Sequence, residues 1–73
     1  MKIKFLKTVT ADFLDHHYDA PECHGCDKTF YHNQIVECDH LEETVNGFVD
    51  ILWANGDAAV GIHKQAITVI DEA

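Results

Sequence analysis

The sequence predicts an all-β fold, organised as a single domain over residues 1–73 with five short strands and one long early loop. Apolar and polar residues alternate in several short segments, as they do in half-buried strands. Turn-forming residues separate these segments, and only residues 39–45 offer a helical alternative. A chain of this length buries only about 60% of its unfolded surface, so its core is thin and a covalent or metal staple would stabilise it.

The first predicted strand covers residues 2–9, where alternation places Ile3 and Phe5 inward. The following residues, 10–28, are largely polar and include the only proline. We therefore predict an extended loop over this stretch.

The second predicted strand covers residues 34–39, with Val36 and Cys38 on one face. In this register Cys38 takes the place of a core valine, since a free cysteine packs as a small apolar residue. His40 is predicted to be a solvated loop residue. Residues 41–47 form a connection that ends in an Asn-Gly turn signal.

The third predicted strand covers residues 48–54, which are rich in strand-forming side chains. Alternation gives the strand two faces. One face carries Val49, Ile51 and Trp53, which we assign to the core. The other face carries Phe48, Asp50 and Leu52.

The last part of the chain predicts a hairpin and a final strand. The Asn-Gly-Asp sequence at residues 55–57 is a strong signal for a tight hairpin, and residues 58–62 form its return strand. Residues 63–66 suit a single 3₁₀ turn before a short strand at 67–70. The core is expected around Phe5, Val36, Ile51 and Val69.

Charge is unevenly distributed along the chain. Five lysines face thirteen carboxylates, giving a net charge of −8. Residues 10–43 alone carry nine acidic residues against Lys28. One interpretation is a solvated acidic edge; the other is an electronegative surface that attracts a basic protein.

Composition excludes several function classes. The chain has no serine and no arginine, which excludes a serine nucleophile and arginine clamps for phosphate. The acidic balance argues against direct nucleic-acid binding. No apolar run approaches the roughly 18 residues that span a bilayer, and the first residues lack the apolar segment of a signal peptide. Three cysteines beside six histidines favour a reducing cytoplasm over a disulfide framework.

A candidate zinc site lies within the predicted loop. Cys23 and Cys26 are separated by two residues, the spacing at which a tight turn presents two thiolates to one tetrahedral ion. His16, His17 and His24 are nearby and could complete the ligand set. We therefore predict a structural zinc held by the two cysteines and one or two of these histidines.

Other interpretations of the same residues remain open. Asp19 or His32 could serve as a further ligand, and a quartet of the two loop cysteines with Cys38 and His40 is conceivable. The loop could instead be a polar segment with free thiols, or carry a redox dithiol. A zinc enzyme would need an open coordination position and a base such as Glu22, and a small barrel offers little room for a pocket.

The pattern of elements resembles that of SH3 domains. Five segments carry the resemblance: Ala11-Asp12-Phe13-Leu14-Asp15, the strand at 34–38, the strand at 46–51, and the closing segments 61–64 and 67–70. As a whole, the sequence is similar to short SH3-like proteins encoded by bacteriophages and prophages. The resemblance implies a small five-stranded SH3-like barrel with an enlarged first loop, of the kind called the RT loop in this family.

The resemblance favours protein binding over catalysis. Phe48 stands at the position of the first groove tryptophan, but other groove residues are replaced, by Val49, by His63 or Lys64, and by Ile67, so polyproline recognition is not expected. Tyr18, Tyr31 and Phe48 are candidate exposed anchors for a protein partner. We expect a non-enzymatic binding module acting in the cytoplasm of a bacterium or a phage-infected host. The alternatives are an acidic nucleic-acid mimic that inhibits a host protein, a minor virion protein, and a small metal or redox enzyme.

Overall fold

Eight strands in two antiparallel sheets make up the described part of the protein. This computed structural model describes residues 1–14 and 26–71, with Cys26 described by its backbone alone. The strands are β1 (Lys2–Phe5), β2 (Val9–Leu14), β3 (Cys26–Phe30), β4 (Ile35–Glu37), β5 (His40–Glu43), β6 (Phe48–Leu52), β7 (Ala58–His63) and β8 (Ile67–Asp71). A 3₁₀ turn at Lys64–Ala66 joins the last two strands.

The strands form a three-stranded sheet in the order β4-β1-β8 and a five-stranded sheet in the order β3-β2-β7-β6-β5. The prediction of an all-β fold is therefore confirmed. The described residues form eight strands, three more than the five predicted.

The extra strands come from segments predicted to be loops. Within residues 10–28, the chain instead forms most of β2 and β3, which pair from Val9↔Phe30 to Phe13↔Cys26. Within the predicted connection 41–47, it forms β5, which pairs with β6. The first strand is correspondingly shorter than predicted and ends at Phe5.

The remaining elements lie close to their predicted positions. The hairpin signal at residues 55–57 forms a tight turn, in which Gly56 N–H donates to Trp53 O at 3.0 Å and Trp53 N–H donates to Asp57 O at 3.0 Å. The Asn-Gly signal at 46–47 also forms a turn, and Gly47 has a φ of 78°. The 3₁₀ turn covers three of its four predicted residues.

The core lies between the two sheets. Ile3 and Phe5 contribute from β1, while Phe30, Ile51 and Ile62 contribute from the five-stranded sheet, and all five are almost fully buried. The rings of Phe5 and Phe30 stack with centroids 4.7 Å apart and planes within 4° of each other. This contact joins the two sheets.

The predicted core is correct at some positions and wrong at one. Phe5 and Ile51 are buried, Val36 is half-buried against the core, and Cys38 is buried as predicted. Val69 is wrong, because 39% of it is exposed. It lies on β8, which among the described strands pairs only with β1 at the sheet edge, and after buried Ile67 the rest of β8 is exposed.

Candidate functional site

The predicted zinc ligands His16, His17, Cys23 and His24 lie outside the described residues, as does Tyr18. Cys26 begins β3 and its backbone pairs with Phe13 on β2. The two strands on either side of residues 15–25 are therefore paired. Within residues 1–14 and 26–71, no group of three or more His, Cys, Asp and Glu side chains is placed to hold a metal ion.

The outer face of the five-stranded sheet carries the strongest concentration of negative charge among the described strands. Asp12 on β2 lies directly opposite Asp27 on β3, and Glu42 on β5 lies directly opposite Asp50 on β6. Neighbouring residues in these strands, such as Ala11 and Ile51, are buried, so the four carboxylates face away from the core. We call these four residues the acidic row.

A β-bulge connects the two halves of the acidic row. The register between β6 and β7 shifts between Val49 and Ile51, so the extra residue of β7 lies opposite Asp50. Gly61 takes a φ of +73° there, a conformation that costs glycine little. The Gly61 N–H donates to Asp50 Oδ1 at 3.1 Å. One carboxylate of the row thus has a structural role in the sheet.

An apolar strip runs beside the acidic row on the same face. Leu14 lies opposite Ala58, Ala58 lies opposite Leu52, and Leu52 lies opposite His40. Leu14 is 40% exposed and Leu52 is half-buried. We call Leu14, Ala58 and Leu52 the apolar strip. Leu14 and Leu52 are each two residues along their strands from Asp12 and Asp50, and Ala58 is two residues from Val60, which lies opposite Asp12.

The three-stranded sheet shows the opposite charge pattern. Lys2 on β1 lies opposite Glu37 on β4 and opposite Asp71 on β8. Opposite charges across a strand pair are stabilising, whereas like charges directly opposite each other are destabilising. The chain therefore places complementary charges on one sheet and repelling charges on the other.

Phe48 and Tyr31, the described members of the predicted partner-binding set, lie in different elements. Phe48 is half-buried on β6 and its ring packs against His63, with centroids 4.7 Å apart. Tyr31 lies in the turn between β3 and β4 and is 63% exposed. Phe48 shares its face of β6 with Asp50, because the two are separated by two residues.

A pocket of about 330 Å³ lies near the edges of both sheets, and sequence reasoning did not find it. Its aromatic lining includes Phe13 and Trp53, whose ring centroids are 5.7 Å apart. Lys28 Nζ lies 4.7 Å from the centroid of the Phe13 ring, within cation–π range. Lys28 is the one lysine in the described residues of the five-stranded sheet, and it lies opposite buried Ala11, on the side away from the acidic row.

Trp53 also borders a second pocket beside Cys38. Its indole N–H donates to Glu37 O at 2.7 Å. Glu37 is the last residue of β4 and Trp53 directly follows β6, so this hydrogen bond holds the ring between the ends of the two strands. Burial raises the pKa of the Cys38 thiol above its usual value, and the nearby carboxylates of Asp39 and Glu37 add to the increase, while the charged amino terminus opposes it. The thiol is therefore kept neutral.

Comparison with known proteins gave no match to a protein-family model, a curated protein or a solved structure. None of the helical segments described here has the length and apolar character needed to cross a membrane.

The acidic row could be anticipated only in part. The excess of acidic residues in 10–43 was visible in the sequence, and it includes Asp12, Asp27 and Glu42. Asp50 lies outside that window. The row also depends on three strand pairings, and β2, β3 and β5 were not predicted as strands.

Proposed function

We propose that the protein is a non-enzymatic protein-binding module with an SH3-like barrel fold, and that its partner presents a basic surface. The order of the elements supports this fold. The five expected barrel strands correspond to β1, β4 continued by β5, β6, β7 and β8, and the β2–β3 hairpin corresponds to the enlarged first loop. The 3₁₀ turn before the last strand is in the corresponding place.

The observation that carries the proposed function is the pair of like-charge contacts in the acidic row. Asp12 opposite Asp27 and Glu42 opposite Asp50 each lower the stability of the sheet. A lysine or arginine of a bound partner would turn this repulsion into attraction, so the free energy lost in folding is recovered in binding. Clustered negative charge also speeds the encounter with a basic protein.

The aromatic side chain of Phe48 extends the same surface. It lies on the face of β6 that carries Asp50, and it remains partly accessible beside His63. Aromatic residues beside a charged rim are frequent anchors in protein interfaces. We therefore include Phe48 in the partner-binding surface, with Tyr31 and Tyr18 as further candidates.

We also propose that zinc staples the loop between β2 and β3, held by Cys23 and Cys26 with one or two of His16, His17 and His24. A structural zinc would contribute its binding free energy to folding. Metal analysis of the untagged protein should give about one zinc per chain, as one tetrahedral site requires. The double variant C23S/C26S should lose this zinc, while C38V should retain it. A wild-type protein that contains no zinc and folds equally well in a chelator would contradict the proposal.

Capture of the partner from a bacterial lysate tests the proposed function. The row-neutralised variant D12N/D27N/E42Q removes three charges with near-isosteric side chains and leaves the Asp50–Gly61 contact in place. The matched control E37Q/D39N/D71N removes the same number of charges away from the acidic row. Wild type and control should capture the same protein, and the row-neutralised variant should lose it.

The salt dependence gives a second measurement on the captured protein. Binding should weaken steeply as ionic strength rises, because exposed charges are screened within about 10 Å at 0.1 M salt. A partner that stays bound undiminished at about 1 M salt, or that binds the row-neutralised variant as well as wild type, would contradict a basic partner. Displacement of the partner by double-stranded DNA would instead indicate a nucleic-acid mimic.

A further inference from the structure

The apolar strip lies at one end of the five-stranded sheet, along one side of the acidic row. Leu14 is 40% exposed, and Leu52 on β6 is half-buried. Ala58 lies between them on β7 and is 9% exposed. The strip therefore has two large side chains separated by a small one.

The strip and the acidic row run side by side across the strands. Neighbouring strands are about 4.8 Å apart, so the row extends over about 19 Å from Asp27 to Glu42. Leu14 is two residues from Asp12, and Leu52 is two residues from Asp50. Two residues of a strand span about 6.7 Å, so the lines of apolar and acidic side chains lie roughly that far apart.

An amphipathic helix presents the matching pattern. Residues three and four apart on a helix are separated by about 4.5–6 Å along the axis, close to the spacing of strands in the sheet. Two such lines, one basic and one apolar, run next to each other along the helix. An extended segment turns alternate side chains to opposite sides and so offers a single line to the sheet.

Building on the proposed function, we infer that the outer face of the five-stranded sheet binds a basic amphipathic helix of the partner. The helix lies across the strands, with its apolar line on Leu14, Ala58 and Leu52 and its Lys or Arg line over the acidic row. A length of about 19 Å corresponds to about 13 residues, or three to four turns. Charge complementarity favours a basic helix at this face, because the described strand residues on this face include four carboxylates and no lysine.

Two synthetic peptides of identical composition test the inference. Each has about 15 residues of Lys, Leu, Ala and Gln, long enough to cover the row. In the first, Lys and Leu form adjacent lines on a helix; in the second, the same residues are permuted so that the apolar line is broken. Titration into isotope-labelled protein gives the affinity and the amides that shift, and circular dichroism gives the helix content of the peptide.

The first peptide should bind about tenfold more tightly than the permuted one, because only it buries apolar side chains together with its charge. Its helix content should rise on binding, and the shifted amides should lie in the strands of the five-stranded sheet, β3, β2, β7, β6 and β5. The variant L14T should weaken its binding several-fold. The control I35T changes a residue on the three-stranded sheet that is 57% exposed, and it should leave the affinity unchanged.

The possible failures are distinguishable. Equal binding of both peptides to this face would overturn the helix and leave the basic partner in place. Shifts confined to β1, β4 and β8, or equal effects of L14T and I35T, would overturn the docking surface. If neither peptide binds at low salt, both the helix and the acidic-row surface of the proposed function are overturned.

Discussion

Cys38 illustrates how a single position links packing to chemistry. Its side chain is 5% exposed within the core cluster, and burial is the main cause of its raised pKa. A buried neutral thiol reacts poorly, because the thiolate is the nucleophile. The sequence predicted this position correctly, because Cys38 alternates with Val36 in an apolar register.

The pKa of Cys38 also predicts a pH dependence. A thiol whose pKa is raised by folding contributes stability that is fully present below the unfolded pKa and is lost as pH rises through the folded pKa. The free energy of unfolding should therefore fall on the alkaline side of about pH 8.5, where an unfolded thiol begins to ionise. Comparing urea denaturation of wild type and C38V between neutral and alkaline pH isolates this contribution. Identical slopes for the two proteins would show that Cys38 does not contribute.

The pair of Asp12 and Asp27, which lie opposite each other on β2 and β3, allows the like-charge repulsion in the acidic row to be tested. Replacing either by Asn removes a like-charge pair and keeps the shape of the side chain, so D12N and D27N should each raise stability by a few tenths of a kcal/mol. The effect should shrink at high salt, since screening weakens exposed charges. Chemical denaturation at low and high salt measures both. A loss of stability in both variants would mean that the carboxylates make favourable contacts in the free protein.

At the scale of elements, the sequence predicted strands best where apolar residues alternate strongly. β6 has a regular pattern of half-buried and buried residues, and the hairpin that follows it has specific turn residues. β5 was missed because its four residues are polar apart from Leu41, and it lies at the sheet edge. β2 and β3 were missed for a related reason: apart from Leu14 their outward residues are polar, and residues 15–25 separate the two strands in the sequence.

The bulge in β7 predicts the effect of a change at Gly61. A Cβ at this position meets no atom within 4 Å, so the cost of G61A comes from the backbone alone. The left-handed conformation costs a non-glycine residue about 1–2 kcal/mol. G61N should cost less, because asparagine tolerates this conformation better. Thermal denaturation of both variants measures the difference, and a G61A protein as stable as wild type would contradict the assigned conformation.

At the scale of the whole molecule, stability depends on the contact between the two sheets. Phe5 and Phe30 are fully buried and stack across the core. Truncating a buried phenylalanine costs about 3–5 kcal/mol, a large part of what a small domain has. F30A should therefore be mostly unfolded near room temperature. The control Y31A changes an exposed neighbour and should stay within about 0.5 kcal/mol of wild type. Near-native dispersion of amide signals in F30A would contradict this role of the stack.

The different charge patterns of the two sheets have a kinetic consequence. Negative charge is unbalanced on the outer face of the five-stranded sheet, whereas Lys2 offsets Glu37 and Asp71 on the other sheet. The two described sheets therefore differ in charge, and the field of the proposed basic partner would rotate the protein before the two touch. A larger fraction of encounters then begins with the acidic row facing the partner. The orientation of the proposed encounter would thus be set at a distance of several ångströms, by the same carboxylates that are expected to repel one another in the free protein.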